Sequence, residues 1–274
     1  MIRKLFPCAL LFAAGAACAD APAAKAWPAS PITDQFAIRG GWMQGSVATL
    51  GRVDDPATNA AGTEFSAEKD FNQSDAAHQL RVELMFRLRE RGRVRVDMWD
   101  LSRRGTASPA TPIVYGANTF LAPDVVRTQT DWRQIDVTST YSFLRASRYE
   151  LGAGLGLHLV QAEGQARVSN RAQPVHEDFS GAGPFATVAL DGTWRFARRW
   201  SLSARAQYFN LTVGSVSGML GDYHGDIQYR WRRNVAFGLG YQSTQVQIEV
   251  TDSNPNGRMQ MDIKGPEAFI RASF

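Results

Sequence analysis

From Phe36 onward, apolar residues recur at every second position. Leu80, Val82, Leu84, Phe86 and Leu88 are separated by Arg81, Glu83, Met85 and Arg87. Tyr149, Leu151, Ala153, Leu155, Leu157 and Leu159 are separated by Glu150, three glycines and His158. The same alternation runs through Ile135 to Phe143, Val188 to Phe196, Trp200 to Tyr208 and Tyr223 to Trp231. Period two over so many segments is the pattern of strands with one apolar and one polar face, not of helices.

The breaks between segments come in two kinds. Short turns fall at Arg89 to Gly92, Arg145 to Arg148, Ala197 to Arg199 and Arg232 to Asn234. Longer connections fall at Gly51 to Ala76, Arg103 to Val126, Gly164 to Ala182, Thr212 to Val216 and Thr251 to Gly257. Short and long alternate, as in barrels with tight periplasmic turns and long extracellular loops. This spacing predicts ten strands, starting near residues 36, 77, 92, 127, 148, 183, 199, 217, 234 and 258. Thr63 to Phe71 is either a hairpin arm in the first long connection or a further strand, so twelve is the alternative count. The fold class is all-β, an antiparallel transmembrane β-barrel over residues 36–274.

Aromatic residues support the same reading. Phe86, Phe143, Tyr149, Trp194, Trp200, Tyr229 and Trp231 lie near the short turns, and Trp42, Trp132, Tyr208, Tyr223 and Tyr241 lie farther along the strands. Trp200 and Tyr208, at ~3.3 Å per residue and a ~40° tilt, are about 20 Å apart along the barrel axis. That matches two aromatic girdles flanking a lipid-facing band.

The start of the chain has a different composition. Arg3 and Lys4 precede a largely apolar run, Leu5 to Ala17, and Ala17-Cys18-Ala19 carries the small residues of a signal-peptidase site. Residues 1–19 are read as a signal peptide, with cleavage before Asp20. The competing reading, lipidation at Cys18, meets Gly15 where a larger apolar residue belongs. Residues 20–35 are Ala- and Pro-rich and read as a periplasmic tail or linker. Cleavage takes away both cysteines, Cys8 and Cys18, and lowers the formal charge from +4 to +2. No thiol, cofactor or metal site is expected, and the charge balance does not suit nucleic acid.

At the other end, Phe274 closes an alternating strand that Gly265-Pro266 interrupts. Proline cannot donate to a ladder, so a bulge or an unpaired rung is expected there. A terminal aromatic of this kind resembles the signal read by the barrel-assembly machinery, although Ala272 stands where a second aromatic is usual. Phe65 to Phe71, the arginine-bounded hairpin Phe86 to Val96, and Gly265-Pro266 together resemble a group of small, mostly uncharacterised proteobacterial outer-membrane barrel proteins. The resemblance implies the barrel fold and location in a Gram-negative outer membrane; lipid and lipopolysaccharide are the expected surroundings and a monomer the expected state. It implies no reaction and no catalytic residue.

With the apolar face toward lipid, the other face lines the lumen. Its acids are Glu83, Asp97, Asp136, Glu150, Asp191, Asp222, Asp226 and Glu267. Its bases are Arg39, Arg81, Arg87, Arg93, Arg95, Arg195, Arg205, Arg230 and Arg271. Near balance favours an internal ion-pair network over a charge-selective pore. Asp222, His224 and Asp226 share one face, and His158 could face them, which supplies the parts of a general base with an orienting carboxylate. Against that, same-face neighbours stand ~6.5–7 Å apart. The sequence thus supports a structural or surface-interaction barrel with a filled lumen, with a narrow diffusion pore and a hydrolase using His224 as alternatives.

Overall fold

A computed structural model describes residues 29–58, 60–168, 170, 175–251 and 256–274. The expected signal peptide and most of the tail therefore lie outside the described residues. Among the described residues, thirteen strands follow in chain order: β1 (Phe36–Val53), β2 (Phe65–Ser66), β3 (Ala76–Leu88), β4 (Gly92–Ala107), β5 (Ile113–Tyr115), β6 (Asn118–Phe120), β7 (Val126–Arg145), β8 (Tyr149–Val168), β9 (Val175–Trp194), β10 (Trp200–Val213), β11 (Val216–Arg230), β12 (Val235–Val250) and β13 (Gly257–Ser273). Eleven of them form one antiparallel sheet, in which ten make the barrel, β13 pairs back onto β1 to close it, and β2 adds a two-residue arm on β1. The short strands β2, β5 and β6 belong to the loops.

The alternative count of twelve does not hold. Within Thr63 to Phe71 only Phe65 and Ser66 are extended, paired with Gly51 and Leu50, and the chain then turns inward through Ala67 and Phe71. Two breaks also differ from expectation. The β10–β11 connection is a two-residue turn with Gly214 at φ +58, where glycine's missing Cβ removes the steric penalty. β9 begins at Val175 instead of near 183, because its ladder with β8 runs on to Val168↔Val175. Backbone pairing sustains that extension, so its side chains need not alternate.

Burial follows the strand period. In β7, Ile135, Val137, Tyr141 and Phe143 are exposed outward, while Gln134, Asp136, Thr138 and Thr140 are buried inward. Trp42, Phe86, Phe143, Tyr149, Trp194, Trp200, Tyr208, Tyr223, Trp231 and Tyr241 all stand exposed on the outer wall. Trp132 does not join them: it is 1% exposed and stacks inside on Trp99, ring centroids 6.4 Å apart. Its phase is that of Gln134 and Asp136, and phase decides the face.

At Gly265-Pro266 the β1–β13 ladder loses its rungs opposite Gln44 and Gly45. It resumes at Ser46↔Lys264 in the register it left at Met43↔Glu267, so this is a gap without a bulge. The register shift lies in β7–β8, between Ser142 and Leu144.

Residues before β1 close the end of the barrel that carries the short turns. Ile32 is 0% exposed, and Asp34 accepts from Arg230 at 2.7 Å and from Arg271 at 3.3 Å. Arg145 donates to the Ile32 carbonyl, and Arg87 to those of Pro31 and Asp34. This segment is a stopper folded under the barrel.

Candidate functional site

The interior divides into two zones along the barrel axis. At the turn end the inward positions are polar. β12 shows Gln242 and Thr244, β11 shows Arg230, Gln228, Asp226, His224 and Asp222, and β10 shows Ser201, Ser203, Arg205 and Gln207. Toward the loop end the same faces become apolar: Val246 and Ile248 on β12, Leu220 on β11, and Phe209, Leu211 and Val213 on β10. The outer wall changes in the opposite sense. On β12, Phe237, Leu239 and Tyr241 give way to Ser243, Gln245 and Gln247. The exchange happens at the height of Trp42, Tyr208, Tyr223 and Tyr241.

Burying charge is costly unless each charge has close partners, and the polar zone supplies them. Arg87 grips Glu150 at 2.7 and 2.9 Å, and Ser142 donates to the same carboxylate at 2.5 Å. Arg93 and Arg95 both reach Asp191 at 2.8 Å. Arg205 pairs with Glu83 at 2.6 Å and Arg81 with Asp97 at 2.7 Å. Arg39 meets Glu267 at 2.8 Å and Asp226 at 3.2 Å, with its guanidinium 3.6 Å from the centroid of Phe269. Arg195 is not part of this lattice; it donates to the Ser147 carbonyl at the turn-end rim. One void among these groups measures about 20 Å³, room for about one water.

The histidines and carboxylates singled out as possible chemistry do not converge. His224 Nε2 lies 2.8 Å from an Arg39 nitrogen and 3.1 Å from Glu267 Oε2, so it accepts from one or donates to the other. Its Nδ1 stands 3.5 Å from Asp226 without a hydrogen bond. Asp222 turns away, accepting from Thr244 at 2.9 Å. His158 is in a separate group, 2.6 Å from Asp136 and 2.9 Å from Gln207. All four are buried beneath the apolar zone, and none reaches the outer rim. Among the described residues, no three His, Cys, Asp or Glu side chains gather as a metal site.

Above the lattice, Met43, Val47, Trp99, Leu101, Trp132, Leu220 and Met261 pack into an apolar floor. Over that floor is a chamber of about 570 Å³. Its walls include Val160, Ala162, Phe185, Phe209, Ile248 and Met259, and loop residues Phe65, Phe71 and Tyr115 roof it. The roof is a second small core around Ile113, Phe120 and Val126. Burial, with Glu177 and Asp178 nearby, pushes the Tyr115 hydroxyl up to about 12, so it stays neutral. The chamber was not among the residues singled out from sequence. Its signal is there: the inward series Phe209, Leu211, Val213 and Val246, Ile248, Val250 are apolar on the face that was polar one step below.

One carboxylate anchors the roof. Glu68 accepts from the Thr49 N–H at 3.0 Å and from Arg103 at 2.5 Å. Burial works against its charge, but these donors outweigh it and hold the carboxyl below the ordinary range. A depressed folded pKa gives stability that is complete above the ordinary value of about 4.5 and is lost as pH falls through the folded pKa. Limited proteolysis of residues 60–75 should therefore be flat from neutral pH to about 4.5 and rise below it. Glu68→Gln should cleave faster at neutral pH and lose that acid step; an acid step that persists in the variant would move the cause elsewhere.

Neither a protein-family profile nor a curated sequence relative matches the chain. Solved structures do. The outer membrane protease OmpT of Escherichia coli aligns over 87% of this chain and 97% of its own, with a TM-score of 0.54 and 12% identity. The outer membrane protein OprG of Pseudomonas aeruginosa aligns over 86% and 95%, with a TM-score of 0.35 and 10% identity. The first likeness establishes the fold of an outer-membrane barrel and nothing about activity; the second carries no further argument.

Proposed function

We propose that the chain is an integral outer-membrane protein, seated with its short turns in the periplasm, whose lumen is closed to solutes and whose outer end is the interacting surface. Two girdles of exposed aromatics around an apolar outer wall support this seating in a bilayer. The observation that carries the closed lumen is the reciprocal pairing of its buried charges above the stopper at Ile32 and Asp34. A conducting pore needs a continuous wet path, with charge of one sign where it selects.

The test is single-channel recording of the refolded protein in a planar bilayer, with a heat-modifiable gel shift as the measure of folding. Folded protein should show no stable conductance. Reproducible steps from folded protein would replace this reading with a pore.

A further inference from the structure

The barrel wall has an unpaired stretch that leads into the chamber. β10 pairs with β11 along its whole length, but with β9 only from Leu202↔Trp194 to Tyr208↔Val188. Beyond that rung, Phe209–Val213 of β10 and the part of β9 before Val188 have no ladder between them. The ladder stops at Tyr208, in the upper aromatic girdle. Ser180 to Phe185 on one side and Phe209, Leu211 and Val213 on the other all line the chamber. Leu211 and Val213 have inward phase yet are 51% and 67% exposed, so their apolar surface meets open space. Phe185 and Phe209 touch edge to face, centroids 5.7 Å apart, at the foot of the opening.

A comparable parting occurs between β3 and β4, whose ladder ends at Arg81↔Trp99. There the first loop fills the space: Gln73 bonds Thr128 and Thr130, and Arg103 bonds Glu68 and the Ser74 carbonyl. Among the described residues no loop bonds both strands here: Asn118 reaches Glu177 of β9, and no hydrogen bond joins a loop to Phe209–Val213 of β10.

We infer that the chamber is a binding site for one single-chain amphiphile, an alkyl chain with an anionic head, admitted from the outer membrane interface between β9 and β10. A volume of 570 Å³ lies within the ~300–1,000 Å³ of small-molecule sites, which are mostly apolar with a few polar groups. The foot of the opening lies where the outer wall changes from apolar to polar, at the depth of a lipid-like head. The head is argued from the rim. Arg52 and Arg258 are cross-strand partners bordering the chamber, like charges that disfavour each other. Arg52 has Asp54 at 3.0 Å, and Arg258 has no ion pair among the described residues. The inference rests on the membrane seating proposed above, but not on the silence of the lumen.

The experiment is calorimetric titration of dodecanoate into refolded protein held in an amphipathic polymer, because detergent tails would compete. Saturable one-to-one binding is expected. Leu211→Asp with Val213→Asp should weaken it at least tenfold and leave the heat-modifiable midpoint unchanged, since both side chains are already exposed. A merely structural role would lower the midpoint and not the affinity. Arg258→Gln should weaken dodecanoate more than dodecanol. No saturable binding by protein that runs as folded, or equal affinity in the double aspartate variant, would overturn the site. Equal weakening of acid and alcohol would overturn the anionic head. Folding and conductance measured on the same samples separate these failures from failure of the barrel reading.

Discussion

Glu150→Ala is expected to lower the stability of the folded barrel by about 3–5 kcal/mol, the cost of leaving a buried charge without its partner. Glu150 is 0% exposed and its carboxylate serves several donors. Arg87 binds it bidentately, Ser142 donates to it, and Arg93 and Arg145 stand at 3.6 and 3.7 Å. Removing it leaves the fully buried Arg87 guanidinium with only the carbonyls of Pro31, Asp34 and Glu90. Loss of charge at constant shape should cost less, because Glu150→Gln keeps an acceptor for Ser142 and one Arg87 nitrogen. Removing both partners, as Glu150→Leu with Arg87→Met, should recover most of the loss, since an apolar pair needs no compensation. The midpoint of the heat-modifiable gel shift, followed in urea, gives all three values. A midpoint unchanged in Glu150→Ala would mean that water reaches Arg87 and that the base of the lumen is wetter than its burial suggests.

How much of this was readable from residues alone depends on what surrounds each face. A wall that faces lipid, as proposed for this barrel, demands an unbroken apolar series, so the alternation of Leu80 to Leu88 or Tyr149 to Leu159 reads directly as barrel wall. The turns that bound it carry their own chemistry, and nine of the ten strands begin within a residue of the places where that chemistry puts them. Aromatic character near a strand end is weaker evidence than phase, which is why Trp132, in step with Asp136, sits inside. The stopper was hidden because Ser30 to Asp34 is short and aperiodic, and its partners, Arg87, Arg145, Arg230 and Arg271, come from four distant strands. The His224 cluster shows the reverse failure. Its residues share a face, but Arg39 and Glu267, from β1 and β13, decide what His224 bonds. The opening between β9 and β10 leaves no local mark at all, because a missing rung is a property of two strands.

Above the stopper at Ile32 and Asp34, the lumen proposed to be closed carries two further layers in series, the ionic lattice and the apolar floor, and from them comes the larger functional prediction. Arg39→Ser with Arg205→Ser breaks the ionic lattice. It leaves Asp226 and Glu267 without an arginine and Glu83 with Arg95 at 3.9 Å. Water follows unpaired charge, yet the variant should stay silent in a planar bilayer. Above the lattice the floor of Trp99, Trp132, Met43 and Leu220 is still dry and packed. Trp132→Ala alone opens that floor onto the intact lattice and should also stay silent. The triple variant joins the two and should conduct. The acids freed by the arginine removals line its path, so the current should be carried by cations, as in pores ringed by carboxylates, and the reversal potential in a salt gradient should report that sign. The loss of packing from Trp132→Ala alone is about 3–5 kcal/mol, so only the heat-modifiable, folded fraction is to be reconstituted. Conductance from either parent variant would mean that one layer alone closes the barrel. Silence of the folded triple variant would assign the closure to the stopper at Ile32 and Asp34, and anion preference would contradict the pairing of Arg39 with Glu267 and Asp226 as what balances the lumen.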